Sequence, residues 1–146
     1  MANKRSVLTA DFIRKDLRFT ARLTYLVKQL KQSLRLKNFP EVFTFCMTRY
    51  QASPASQVSE VLADILRYAP IHAELFETRR MSFDLPNNFY ELSDSVALKI
   101  QTVLDEAGVK MKLPTSGTFS ILMAVEQEAR RQNIECALSE WDFLNK

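Results

Sequence analysis

Two sets of polar residues at alternate positions, Arg18, Thr20 and Arg22, then Arg80, Ser82 and Asp84, are where this sequence can do chemistry. At a spacing of two they share one face of an extended chain. Such a face offers hydrogen bonds from guanidinium forks and hydroxyls, not proton transfer. Catalytic chemistry has no comparable footing. His72 stands alone near Pro70, with no sequence-local acid or cysteine to make it a base or a ligand. Glu74 and Glu77, Asp105 and Glu106, and Glu126 and Glu128 are acidic pairs on or near expected helices, and nothing in the sequence converges them on a common site. Cys46 and Cys136 are far apart and form no metal or redox cluster. No glycine-rich phosphate loop, HExxH or GxSxG occurs, and Gly108 and Gly117 are the only glycines. The expectation is a protein that binds, is not an enzyme and takes no metal or cofactor.

Charge points to what it binds. The formal net charge is only +3. Residues 1–50, however, hold eleven Lys or Arg against Asp11, Asp16 and Glu41, a balance of +8, while the remainder is mildly acidic. A basic third on an acidic body is an electrostatic footprint for a polyanion, because a local field holds phosphate whatever the total charge. At 146 residues and 47% hydrophobic content the chain can bury one core, or two small units that share one. The first twelve residues, MANKRSVLTADF, lack an apolar stretch of signal-peptide length, and no apolar run is long enough to span a bilayer. A cytoplasmic location without membrane contact is therefore expected.

The elements that would position those side chains follow from periodicity. Residues 1–16 read as a flexible basic arm. Leu17, Phe19, Ala21 and Leu23 alternate with Arg18, Thr20 and Arg22, which predicts a half-buried strand. Thr24 can cap a helix with Leu26, Val27, Leu30 and Leu34 on one stripe, whose other side carries Lys28, Lys31 and Arg35. Asn38 as cap and Pro40 in the first turn start a second helix to Tyr50 that buries Val42, Phe43, Cys46, Met47 and Tyr50. A further helix, about 57–69, stops at Pro70. At Arg79 the alternation returns, with Met81, Phe83 and Leu85 opposite Arg80, Ser82 and Asp84. Pro86 closes that strand, and Asn87 or Asn88 caps a helix that ends at Gly108. A polar loop then leads to a helix over about 118–132, and Trp141, Phe143 and Leu144 make the tail, 133–146, a packed turn.

Laying Leu23 over Leu85, 62 residues on, gives one pattern twice: strand, capped helix, loop, second amphipathic helix. The units are 17–50 and 79–132, joined by a helical linker, 51–78. One short strand with two helices lacks a ladder partner and leaves an apolar face bare. Two copies cure both defects by pairing residues 18–22 antiparallel with residues 80–84. The expected fold is therefore mainly α with a short two-stranded antiparallel ribbon, and a ribbon of that width fits the DNA major groove.

With those residues in view the chain resembles the ribbon-helix-helix superfamily of DNA-binding proteins, the MetJ and Arc class, and within it the tandem single-chain members that assist plasmid conjugation or T-DNA transfer. The resemblance covers a little over half the chain. It implies a pseudodimer within one chain that binds double-stranded DNA as a transfer accessory or a transcription regulator, with other proteins of a nucleoprotein complex as partners and self-association on DNA. It also implies that Arg18, Thr20, Arg22, Arg80 and Ser82 touch base edges, with Asp84 able to accept from cytosine. Backbone amides where the second helices begin, near Asn38 and near Thr115 to Gly117, would clamp phosphates, and Lys110, Lys112, Thr115 and Ser116 of the preceding loop are candidates for the same clamp. The first unit departs from the pattern by having Leu36, Lys37 and Asn38 where a glycine is usual between the helices. The alternative to DNA binding is an all-helical adaptor for a protein partner, in which residues 17–36 form one long basic helix.

Overall fold

The computed structural model describes residues 12–72, 78–110 and 117–134, with the backbone alone at 21, 66–72, 78, 79 and 117. In chain order these form β1 (Phe12–Thr20), α1 (Ala21–Ser33), α2 (Phe39–Tyr50), α3 (Ala55–His72), β2 (Thr78–Pro86), α4 (Phe89–Glu106) and α5 (Gly117–Arg131). Among the described residues the fold is mainly helical with a single two-stranded antiparallel sheet, β1 against β2. None of these helices is long and apolar enough to cross a membrane.

The expected strands pair, but β1 lies earlier in the chain than its alternation suggests. Arg18 sits opposite Arg80 and Arg14 opposite Asp84, so residues 12–20 pair with residues 78–86. The phase of the alternation holds up to Thr20, and there the strand stops. Thr20 is extended, at φ −80 and ψ 164, and its Oγ1 accepts from the Leu23 amide at 3.1 Å, which makes it the cap of α1. Leu23, Leu26, Val27 and Leu30 then form one buried helical stripe. A stripe of four residues at helical spacing buries more apolar surface than two further strand residues, so Ala21 and Arg22 join the helix. The same boundary removes the single helix over 17–36, because residues 17–20 are strand. Residues 12–16, read from sequence as arm, are strand as well; residues 1–11 lie outside the described set.

The second helix is as expected. The Asn38 side chain accepts from the Glu41 amide at 3.0 Å, Pro40 lies in the first turn, and Val42, Phe43, Cys46, Met47 and Tyr50 are buried. Helix α3 runs on through Pro70 to His72, where the missing proline N–H forfeits one ladder bond close to the helix end. Three helices stop in one way. Leu36 N–H bonds to Lys31 O, Val109 N–H to Leu104 O and Ile134 N–H to Ala129 O, with Arg35, Gly108 and Asn133 at φ 56, 72 and 55. Arg35 thus does without Cβ relief what Gly108 does freely, and no glycine is needed after α1.

Helix α5 is the hub, packed against α2, α4, α1, α3 and β1. The inward face of the ribbon closes the other side. Phe19 is buried, at 1% exposure, and its ring lies 5.6 Å from Phe43 and 5.7 Å from Phe83. Phe83 is half-buried, sandwiched between Phe39 at 5.9 Å and Phe43 at 5.3 Å, so the two strands do not contribute equally deep rings. Lys15, at an inward position, lays its ammonium 5.3 Å over the Tyr90 ring, which lets a charged residue sit within an apolar row.

Candidate nucleic-acid interface

The period of two places Arg14, Asp16, Arg18 and Thr20 of β1 beside Arg80, Ser82 and Asp84 of β2 on the outward face of the ribbon; all but half-buried Thr20 are exposed. Three arginines and two aspartates share this surface. Arg14 donates to Asp84 Oδ1 at 3.0 Å across the strands, and Ser82 Oγ donates to Asp16 Oδ1. Asp16 Oδ2 lies 3.9 Å from Arg80 Nε. Arg18 has no carboxylate partner among the described residues and stands directly opposite Arg80. Like charges facing each other across a ladder oppose the pairing that brings them together. Their common demand is an anion or a row of acceptors, and paired guanidiniums present that demand in fork geometry.

Each expected residue that the structure describes has a definite place. Arg18, Arg80, Ser82 and Asp84 are exposed on the ribbon. Thr20 is half-buried, and its hydroxyl is engaged in the α1 cap. Arg22 is not on this face. It lies one residue inside α1, only 3% exposed, with Nε 2.7 Å from Glu126 Oε2 and Nη2 3.0 Å from Glu126 Oε1. Helical rotation after Thr20 turns it into the core, where Glu126 on α5 answers its charge. Asn38 is exposed, but its side chain caps Glu41, Pro40 has no N–H, and Glu41 Oε1 accepts from Lys37 N–H at 2.9 Å. That leaves the Phe39 amide as the donor free for a phosphate among the first three positions of α2. Lys110 is exposed; Lys112, Thr115 and Ser116 lie outside the described residues.

Sequence reasoning missed Arg14 and Asp16 because Lys15, in the inward phase, breaks the apolar row that would have extended β1 backward. Continuing the alternation from Phe19 and Leu17 to Ile13 was the available signal. It also missed the polar seam of α5, where Glu126, Gln127 and Glu128 are all buried. Glu128 accepts from Arg49 Nε at 3.0 Å, Arg131 Nη1 at 2.6 Å and Gln132 Nε2 at 2.7 Å. Gln127 Nε2 donates to Gln57 Oε1 at 3.0 Å. Three consecutive polar residues thus reach α1, α3 and α2 in turn, which no helical stripe predicts.

The seam explains the chemistry of the core. Burial pushes the Cys46 thiol far above its ordinary value, the Glu128 carboxylate adds to the rise, and Arg131 and Arg49 oppose it. Burial raises the Tyr50 phenol as well. Both are protonated and unreactive at neutral pH. A cavity of about 240 Å³ lies over the seam, lined by Gln57, Glu60, Val61, Gln127, Arg130 and Arg131. Its arginines are already held, Arg130 by Asp64 at 2.7 Å and Arg131 by Glu128 and the Ser53 hydroxyl. On the ribbon, Arg18 is the arginine without a carboxylate partner among the described residues. No family model matches the chain, and no curated protein and no solved structure matches it.

Proposed function

We propose that this protein binds double-stranded DNA by laying the outer face of the β1–β2 ribbon in the major groove. The observation that carries the reading is Arg18 directly opposite Arg80 on an exposed ribbon. Such a pair weakens the isolated fold and gains when guanine O6 and N7 or backbone phosphates accept from it. The neighbouring Arg14–Asp84 contact has side chains 65% and 64% exposed. An ion pair that open contributes about 0–1 kcal/mol, so Arg14 can exchange its partner for a base edge at little cost, and Asp84 can accept from cytosine N4.

The ladder runs from Phe12 opposite Pro86 to Thr20 opposite Thr78, centred on Asp16 and Ser82. This supports reading the chain as a tandem ribbon-helix-helix pseudodimer, with Arg14, Asp16 and Arg18 as one reading triplet and Arg80, Ser82 and Asp84 as the other. Its role on that reading is a DNA-transfer accessory or a transcription regulator, in the cytoplasm and without enzymatic activity of its own.

Fluorescence anisotropy with random-sequence duplex, over a range of salt, is the first test. Binding should weaken steeply as salt rises, by counterion release. A duplex selected from a random pool should then bind more tightly than a scrambled one. Folded protein that ignores duplex DNA even at low salt ends this reading and favours a protein partner.

A further inference from the structure

The outward faces of α1 and α4 carry opposite charge. From Ala21 to Lys37 there is no acid. Arg22 is buried, which leaves Lys28, Arg35 and Lys37 exposed and Lys31 half-buried along or just beyond α1. Among the described residues none of these four has a carboxylate partner. Tyr25 lies on the same face, 41% exposed. On α4 the residues opposite the buried stripe are Glu91, Asp94, Leu98, Thr102 and Asp105, with Glu106 following, and all are exposed. Leu98 stands at the middle of this row, 68% exposed. The one base of α4, Lys99, is turned aside to the Gln51 carbonyl at 2.8 Å.

Neither face has an ion-pair partner among the described residues, although Asp105 accepts from Gln101 Nε2 at 2.9 Å. Lys28 and Lys31 are like charges at helical-neighbour spacing, and so are Glu91 and Asp94. Asp105 and Glu106 sit in the last turn of α4, which has no base, so they face the negative end of the helix dipole. A cationic partner would answer both charges. Both stripes set an exposed apolar side chain among charges, the pattern of a binding anchor with a polar rim. The row from Glu91 to Asp105 is roughly 20 Å long, long enough to receive a helix.

We infer that the basic face of α1 in one copy of this chain docks on the acidic face of α4 in a second copy. Both α1 and α4 pack on α2 and α5. The contact is heterologous: it joins unlike surfaces and leaves one basic and one acidic face for further copies. This association is a property of the free protein and does not depend on how the ribbon reads DNA.

Sedimentation equilibrium of the full chain, without DNA, tests it. In about 0.05 M salt the weight-average mass should reach at least twice the 16.9 kDa of one chain. In about 1 M salt, where the Debye length falls to about 3 Å, it should return to one chain. A variant with Lys28→Glu and Lys31→Glu, and another with Asp94→Lys and Asp105→Lys, should each stay at the mass of one chain while keeping the wild-type circular dichroism. Mixing the two variants should restore association, because each then meets a face of opposite sign. Leu98→Ser in the wild-type background should weaken it without changing any charge. Wild-type protein at one chain mass in low salt, association that survives either reversal, or a mixture that remains dissociated would overturn the inference. So would an α1 reversal that lowers duplex affinity and leaves self-association intact, since the basic stripe would then serve DNA phosphate.

Discussion

Two arginine–carboxylate pairs in this molecule have similar contact distances and opposite meanings. On the outer face of the ribbon Arg14 meets Asp84 at 3.0 Å with both side chains about two-thirds exposed. In the seam between α1 and α5 Arg22 meets Glu126 at 2.7 Å with side chains 4% and 2% exposed. Water can replace either partner of the first pair. Nothing can replace either partner of the second, because a lone charge there has lost its hydration. The outer pair is therefore free for exchange with a ligand, and the inner pair holds two elements in register. An arginine's role follows from the dielectric around it, and residue type alone does not reveal it.

The largest effect that can break this comparison is Arg22→Ala. It strands Glu126 in the core and should cost about 3–5 kcal/mol, read as a fall in the urea midpoint. Replacing both partners by apolar residues, Arg22→Met with Glu126→Leu, should recover most of that loss. If Arg22→Ala instead leaves stability unchanged and abolishes duplex discrimination, the two pairs have been assigned the wrong way round.

The inward rings of the two strands also differ in burial. Phe19→Ala should cost about 3–5 kcal/mol and Phe83→Ala clearly less, since only Phe19 is fully enclosed. Equal losses in thermal melts would mean that the second strand is buried as deeply as the first.

Arg18→Ala should spare stability, or raise it slightly by removing the opposition to Arg80, and remove about 1–3 kcal/mol of discrimination between a selected and a scrambled duplex. Both quantities come from one preparation, by denaturation and by anisotropy. A stability loss without any binding loss would place Arg18 among structural residues.

Alkaline pH tests two groups of the interior. Cys46 and Tyr50 have ordinary values of 9.0 and 10.0 and are raised in the fold. The folded state then holds its protons while the unfolded chain releases them. Stability is full below pH 9, falls as pH passes 9.0 and then 10.0, and goes on falling toward the folded values. Each group contributes a slope of at most about 1.4 kcal/mol per pH unit. Cys46→Ala should remove the part that begins near pH 9, as followed by denaturation midpoints against pH.

Arg14→Ala should produce the smallest effect, below about 1 kcal/mol in stability, because its ion pair is open to water. A loss comparable to that of Arg22→Ala would erase the distinction between the two pairs.

Much of this was legible from residue order. The helix from Asn38 to Tyr50, its cap and its buried residues follow from local spacing, as do the second strand and the stop at Gly108. Both strands and the phase of their alternation, and so the outward placement of Arg18, Arg80, Ser82 and Asp84, come from a period of two. Each of these rests on interactions among residues a few positions apart. The end of β1 does not, because Leu23 satisfies an alternating strand and a helical stripe equally well. Only the packing of that stripe on α2 and α5 favours the helix, makes Thr20 the cap and carries Arg22 inward. Nor could Glu126 and Glu128 announce their partners, which lie 104 and 79 residues away, at Arg22 and Arg49. A buried charge is tolerable only where an opposite charge arrives from another element. That arrival is a fact of tertiary structure, and it divides the arginines that hold this protein together from those it presents to a partner.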